Sequence, residues 1–301
     1  MPSFFSILFA KSIDLCKIEE KFLFYDSMEA LMSKLMEGKK GIIFGVSNKR
    51  GIAYAIAKQI YDAGAEIAFT YANDTMESRV RPIAEEMGSK LIMECDVTNE
   101  DHLKKVFDEY KKVYGTIDFV VHSVAFANRD DLTGNFSDLS KEGWDLALGV
   151  SAYSLIAVSR AAKPLLNDGA AITTLTYLGG EKYVPNYNVM GVAKAALECA
   201  TRYLAAELGE IGVRVNALSA GPVKTLAFKG ISSSDVLLKI NKDRSPMNRN
   251  ISLEDVGRAG LYLSSDLSSG VSGETHHVDC GVHFTSISKK EAEQYLNALN
   301  K

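Results

Sequence analysis

From Gly41 onward the apolar positions repeat in two alternating periods. "GIIFG" is a short apolar run closed by glycine, "IAYAIAKQIYDAGA" repeats its apolar residues at helical spacing, and "EIAFTY" reads as a strand. A helix over Thr75 to Gly88 leads to the strand "KLIMEC". Thr98 is expected to cap the helix "NEDHLKKVFDEYKKVYG", with Asp101 as its acidic partner. "IDFVVHSVA" is the fourth strand, and a long helix from about Lys141 to Leu166, closed by Asn167-Asp168-Gly169, leads to the fifth, "AAITTLTY". A helix carrying Tyr187 and Lys194 runs to about Glu210, before the sixth strand "VRVNALSAG". "SLEDVGRAGLYLSSD" is a capped helix and "ETHHVDCG" the seventh strand.

Regular strand–helix alternation calls for a parallel sheet, because right-handed crossovers place helices over both faces. The expectation is an α/β fold: one doubly wound, Rossmann-like, seven-stranded parallel sheet within a single domain, residues 36–301. Residues 1–35 stand apart. "FFSILFA" is too short and lacks the basic start of a signal peptide, and Asp14, Glu19 and Glu20 do not suit a transit peptide. Two readings stay open there: a natural extension, or a start called upstream of Met32 or Met36.

Composition narrows the partners. With 34 basic against 38 acidic residues, the net charge of −4 gives no electrostatic case for nucleic acid. The longest uncharged run, Leu146 to Ser159, falls short of the ~18 residues of a membrane span and reads as a buried or subunit-packing helix. Cys16, Cys95, Cys199 and Cys280 are scattered, with no metal-ligand spacing, so no metal is expected and the thiols suit a cytoplasmic protein.

Ligands of doubly wound sheets bind beyond the carboxyl ends of the strands. After strand one, "GVSNKRGIA" places Gly45 and Gly51 where a turn and an open helix start favour an anion, although a glycine-flanked turn is also an ordinary connection. After strand two stands Ala72, with no adjacent cation to neutralise a 2′-phosphate, which favours NADH over NADPH. Asp96-Val97 after strand three reads equally as a helix-preceding turn or an adenine contact. "HSVAFA" offers small residues against which a flat ring could lie, and "SAGPVKTLAFKG" a Gly-Pro turn with a flexible segment. His122, His276 and His277 are not expected to be catalytic.

Tyr187 and Lys194 define the spacing Tyr-x6-Lys, and Tyr177 precedes Tyr187. Seven helical residues rise ~10.5 Å and turn ~700°, so the pair shares a helix face. That is also what a polar stripe on an amphipathic helix would give. Position distinguishes the two: the pair opens the helix after strand five. With "PNYNVMGVAKAALE", "GVRVNALSAGPVKTLA", "HSVAFA" and "SGETHHVD", from about Met36 to Ile287, the chain resembles the bacterial enoyl-acyl-carrier-protein reductases of the short-chain dehydrogenase/reductase superfamily.

The resemblance implies NADH-dependent reduction of a trans-2-enoyl thioester on acyl carrier protein, in type II fatty acid synthesis, by a homotetramer. It implies that Tyr187 serves the enolate oxygen, Tyr177 lines the acyl site and Lys194 holds the nicotinamide ribose. Carried over likewise, Gly45, Gly51 and Ile52 meet the pyrophosphate, Asp96 and Val97 the adenine, and Val124 the nicotinamide half. Val223, Lys224, Thr225, Leu226 and Ala227 meet the carboxamide and phosphates, and Ala127, Met190 and Ile231 border the substrate. Cys280 stands where the family commonly has glycine, and Gly51 where it often has serine. Two rivals remain: a ketone reductase, which should carry Tyr-x3-Lys where this chain has Gly191, and a non-catalytic dinucleotide sensor, which should have lost Tyr187 or Lys194.

Overall fold

The computed structural model describes residues 34–225, 228 and 234–299. Most of the expected N-terminal extension therefore lies outside the described residues. The strands are β1 (Lys40–Phe44), β2 (Glu66–Tyr71), β3 (Ile92–Glu94), β4 (Ile117–His122), β5 (Leu166–Thr176), β6 (Arg214–Ala220) and β7 (Thr275–Val278). They form one parallel sheet of order β3-β2-β1-β4-β5-β6-β7, so strand order reverses between β1 and β4. This is the expected doubly wound, seven-stranded sheet.

Both faces of the sheet are covered, which is why its central strands are apolar runs rather than alternating ones. Successive residues still point to opposite sides. Ile42, Phe44 and Val120 pack with Leu103 and Phe107 of α3 (Glu100–Tyr114), Leu155 and Val158 of α5 (Ser154–Ala162), and Leu197 and Leu204 of α6 (Asn188–Gly209). Ile43, Phe119 and Val121 turn the other way, onto Ile56 and Ile60 of α1 (Ile52–Asp62) and Val80 and Ile83 of α2 (Asp74–Glu86). Met36 is fully buried in this second layer. A third cluster joins Leu218 of β6 to Val256 and Leu263 of α8 (Leu253–Ser264), the helix that follows α7 (Ser234–Arg244).

Three local expectations change. The α3 cap is Asn99, whose side chain accepts from the amides of Asp101 and His102, while Thr98 bonds Asp96 instead. The single long helix over 141–166 is two, α4 (Lys141–Leu148) and α5, joined by a π-helical segment, Gly149–Tyr153. Pro164 lies in the closing 3₁₀ turn, where its ring opposes helix continuation, so β5 begins at Leu166. Finally, Tyr187 is the residue before α6 rather than within it. Asn186 and Asn188 flank it at φ 59° and 32°, conformations that asparagine tolerates better than most residues. The expected cap of α8 is present and takes the form of a capping box between Ser252 and Asp255.

Candidate active site

The carboxyl ends of β1, β4, β5 and β6 open into one cavity of about 670 Å³. Gly45, at φ 91°, turns the chain out of β1 so closely beneath Ser123 that a Cβ there would collide with the Ser123 carbonyl. The turn delivers the chain to α1, whose cap Gly51 offers no side-chain acceptor and whose first turn holds no acid. By contrast, α3 and α8 are capped by side chains and carry acids in their first turns. The amides at the start of α1 are left for an external anion, the arrangement a pyrophosphate needs. Across the cavity, Thr225 is buried and its hydroxyl oxygen accepts from the Phe228 amide, leaving the hydroxyl proton to be donated. This donor set fits a dinucleotide.

Lys194 is 5% exposed and lies two turns into α6. Its Nζ donates to the Leu175 carbonyl at 2.6 Å, at the end of β5. Burial lowers its pKa to about 8, against the upward pull of the Glu198 carboxylate. The Tyr177 and Tyr187 rings meet edge to face, with centroids 5.1 Å apart and an interplanar angle of 76°. Burial pushes the Tyr187 hydroxyl far above the ordinary phenol range, with Tyr177 and Glu198 adding to the rise. Tyr177 is raised by burial and then by Asp279. Both phenols are therefore protonated at neutral pH, suited to donating hydrogen bonds and poorly suited to losing a proton. Gly179 and Gly180 let the chain after Tyr177 lie against α6, since side chains there would strike the Tyr187 ring and Glu198.

Of the residues read from the sequence, Gly45, Gly51, Ile52, Val124, Ala127, Tyr177, Tyr187, Met190, Lys194, Val223 and Thr225 line this cavity together. Asp96, Val97 and Lys224 are not on its wall. Asp96 accepts from the Thr98 amide and hydroxyl at 2.9 and 2.7 Å, as a helix-preceding turn requires. Leu226, Ala227 and Ile231 lie outside the described residues. Ser47, Phe126, Leu132, Thr176 and Leu237 also line the cavity, beyond the residues read from the sequence. Two of them carried a signal: Ser47 is a hydroxyl inside the glycine-flanked turn, and Phe126 an aromatic at a strand end that proves exposed.

His122 is fully buried, hydrogen-bonded to Thr174 at 2.9 Å and Ser154 at 2.8 Å, and burial lowers its pKa to about 3. It is a neutral structural histidine, as its place in β4 suggested. Among the described residues no cluster of ligands could hold a metal, and no helix is long and apolar enough to cross a membrane.

A doubly wound sheet with an anion-ready helix start, and with a phenol and a lysine after β5 lining the same cavity, defines a dinucleotide-dependent oxidoreductase of the short-chain dehydrogenase/reductase class. The family model described as Enoyl-(Acyl carrier protein) reductase matches residues 45–283. Enoyl-[acyl-carrier-protein] reductase [NADH] 1 of Rhizobium meliloti is 50% identical over 263 residues, covering 87% of this chain and 97% of that protein. The NADH reductase of Bacillus cereus is 48% identical over 252 residues, covering 83% and 98%. Among solved structures, the Anaplasma phagocytophilum reductase in complex with NAD superposes with a TM-score of 0.82 at 47% identity, covering 85% of this chain and 98% of that one. The Bacillus cereus reductase with NADP+ and an indole naphthyridinone gives 0.82 at 47%, covering 84% and 100%. The chain belongs to the enoyl-acyl-carrier-protein reductase family.

Proposed function

We propose that the chain reduces the double bond of a trans-2-enoyl thioester carried on acyl carrier protein, using NADH, in type II fatty acid synthesis. The observation that carries this reading is one cavity that joins the glycine turn after β1 to Tyr177, Tyr187, Met190 and Lys194. When bound, NADH supplies the hydride that adds to Cβ of the thioester. Negative charge then collects on the thioester oxygen, ~2.5 Å beyond the position a ketone oxygen would take. Tyr187 donates a hydrogen bond to that oxygen, keeping its own proton, and this donor acts only where charge develops in the transition state; the α-carbon takes its proton from solvent. Tyr177 packs on the edge of Tyr187 and fixes its ring. Lys194 is turned toward the end of β5 and so serves the ribose hydroxyls rather than the phenol.

Gly45, Gly51, Ile52 and Thr225 hold the pyrophosphate, and Val124 and Val223 border the nicotinamide half. Lys224, Leu226, Ala227 and Ile231, with Asp96 and Val97 toward the adenine, keep the roles their family positions imply. The free thiols Cys95, Cys199 and Cys280 favour a reducing, cytoplasmic setting. The exposed Tyr153 and Ile156 around α5 favour a subunit contact within a homotetramer.

Turnover of crotonyl and longer enoyl thioesters, followed by NADH and NADPH oxidation, tests this reading. NADH should give the higher kcat/KM, because Ala72 and its neighbours after β2 offer no cation for a 2′-phosphate. A tenfold preference for NADPH, about 1.4 kcal/mol in transition-state terms, would reverse the cofactor assignment. NADH binding without turnover would favour the non-catalytic sensor.

A further inference from the structure

One buried charge beside the cavity residues has no role in the reaction as described: Glu198. It is 6% exposed, although glutamate is rarely so buried without a partner. It lies one turn beyond Lys194 on α6, and its Oε1 accepts from the Thr176 hydroxyl at 2.5 Å. Lys194 donates to the carbonyl of the preceding residue, Leu175. Two side chains of opposite charge, one helical turn apart, thus grip consecutive residues at the end of β5, directly before Tyr177. Gly180 preserves the arrangement, since a Cβ there would come within 2.8 Å of Glu198 Oε1.

We propose that Glu198 is a positioning residue of the reductase: it anchors the end of β5 through Thr176 and holds Lys194 as the charged ammonium that the cofactor ribose meets. This rests on the ribose role proposed above for Lys194. The surroundings leave the task to Glu198. His122, facing Lys194 from β4, is neutral, and the phenols lining the cavity are protonated. Glu198 is in turn faced by Arg202 on its own helix, Glu181 after β5 and His277 on β7. Burial raises its own pKa, and the Thr176 hydrogen bond opposes that rise, so the same bond that anchors the strand also favours the ionised carboxylate.

The test is the NADH dissociation constant measured from about pH 6 to about pH 10. In the parent, affinity should fall as pH rises through about 8, where Lys194 loses its proton. Glu198→Gln keeps the shape and removes the charge, so the midpoint should move to lower pH by about half a unit or more. Glu198→Asp should return it toward the parent, and Thr176→Val should move it the same way as Glu198→Gln but by less. If Glu198→Gln leaves the midpoint in place or raises it, the assignment is wrong. Should Glu198→Gln fail to fold, an unmoved midpoint in Thr176→Val overturns the assignment equally. Lys194→Met separates the two readings. A variant with parental affinity and an unchanged pH step would refute the ribose role, whereas lost affinity beside an unmoved Glu198→Gln midpoint would refute the Glu198 role alone.

Discussion

Among single residues, Tyr187 bears most directly on the proposed reaction. Its pKa is pushed well above the phenol range, so the hydroxyl stays protonated and its contribution is a directed hydrogen bond rather than proton release. Tyr187→Phe should therefore lower kcat by up to roughly 10²–10³, as loss of an oxyanion donor does, while barely changing the NADH dissociation constant. Tyr177→Phe keeps the ring that packs on Tyr187 and should do less. If Tyr177→Phe lost turnover and Tyr187→Phe kept it, the two tyrosines would exchange roles. These two phenols and Lys194 were legible in the sequence because their spacing is unusual and they follow a strand. Glu198 was not, because a glutamate inside "AKAALECA" reads as a solvent-facing helix residue. The end of β5 and the turn after it, packed on α6, bury it. Cys280, standing where the family commonly has glycine, has a left-handed φ of 57°, a conformation that favours glycine.

At the scale of elements, the start of α1 is the clearest case of structure reserved for a ligand. Gly51 has φ −96° and ψ 156°, which an L-residue adopts without strain, and a Cβ there would lie 3.3 Å from the Asn48 carbonyl. Gly51→Asp should cap the free amides and favour the helix by a few tenths of a kcal/mol. The same carboxylate would repel a pyrophosphate, so NADH affinity should fall at least about tenfold while the melting temperature holds or rises. Gly51→Ser, a neutral cap, should retain most of the binding. Equal affinity in both variants would remove the pyrophosphate from this helix. The strands were readable because apolar runs buried on both faces have few alternatives. Cap and helix limits were less so: Thr98 and Asn99 are both competent caps, and a π-helical segment leaves no mark on the apolar period.

The whole molecule bears the cost of a buried lysine. Lys194 titrates near 8 in the folded protein against an ordinary 10.5, so between those values the unfolded chain holds the extra proton. Stability from this group is therefore low at neutral pH and is regained as pH rises from about 8 to about 10.5. Lys194→Met should be more stable than the parent at neutral pH by up to about 3 kcal/mol, with the gap closing toward alkaline pH. Denaturant titrations of the cofactor-free proteins at both ends of that window would check it. A variant no more stable than the parent at either end would mean that burial costs Lys194 little. Such a trade of stability for function is common at sites built for a ligand.

Fold class followed from the alternation of the chain, but the strand order and the meeting of four strand ends in one cavity are properties of the folded sheet that the alternation does not specify. The reaction proposed for this cavity delivers hydride to Cβ, with Tyr187 over the distant oxygen. It is tested most directly by running the reduction of a trans-2-enoyl thioester with NADH deuterated at the transferred position and locating the label by NMR. Deuterium is expected at the β-carbon of the saturated product, with a solvent-derived proton at the α-carbon. Deuterium at the α-carbon or at a carbonyl carbon, or no label in the product, would contradict it.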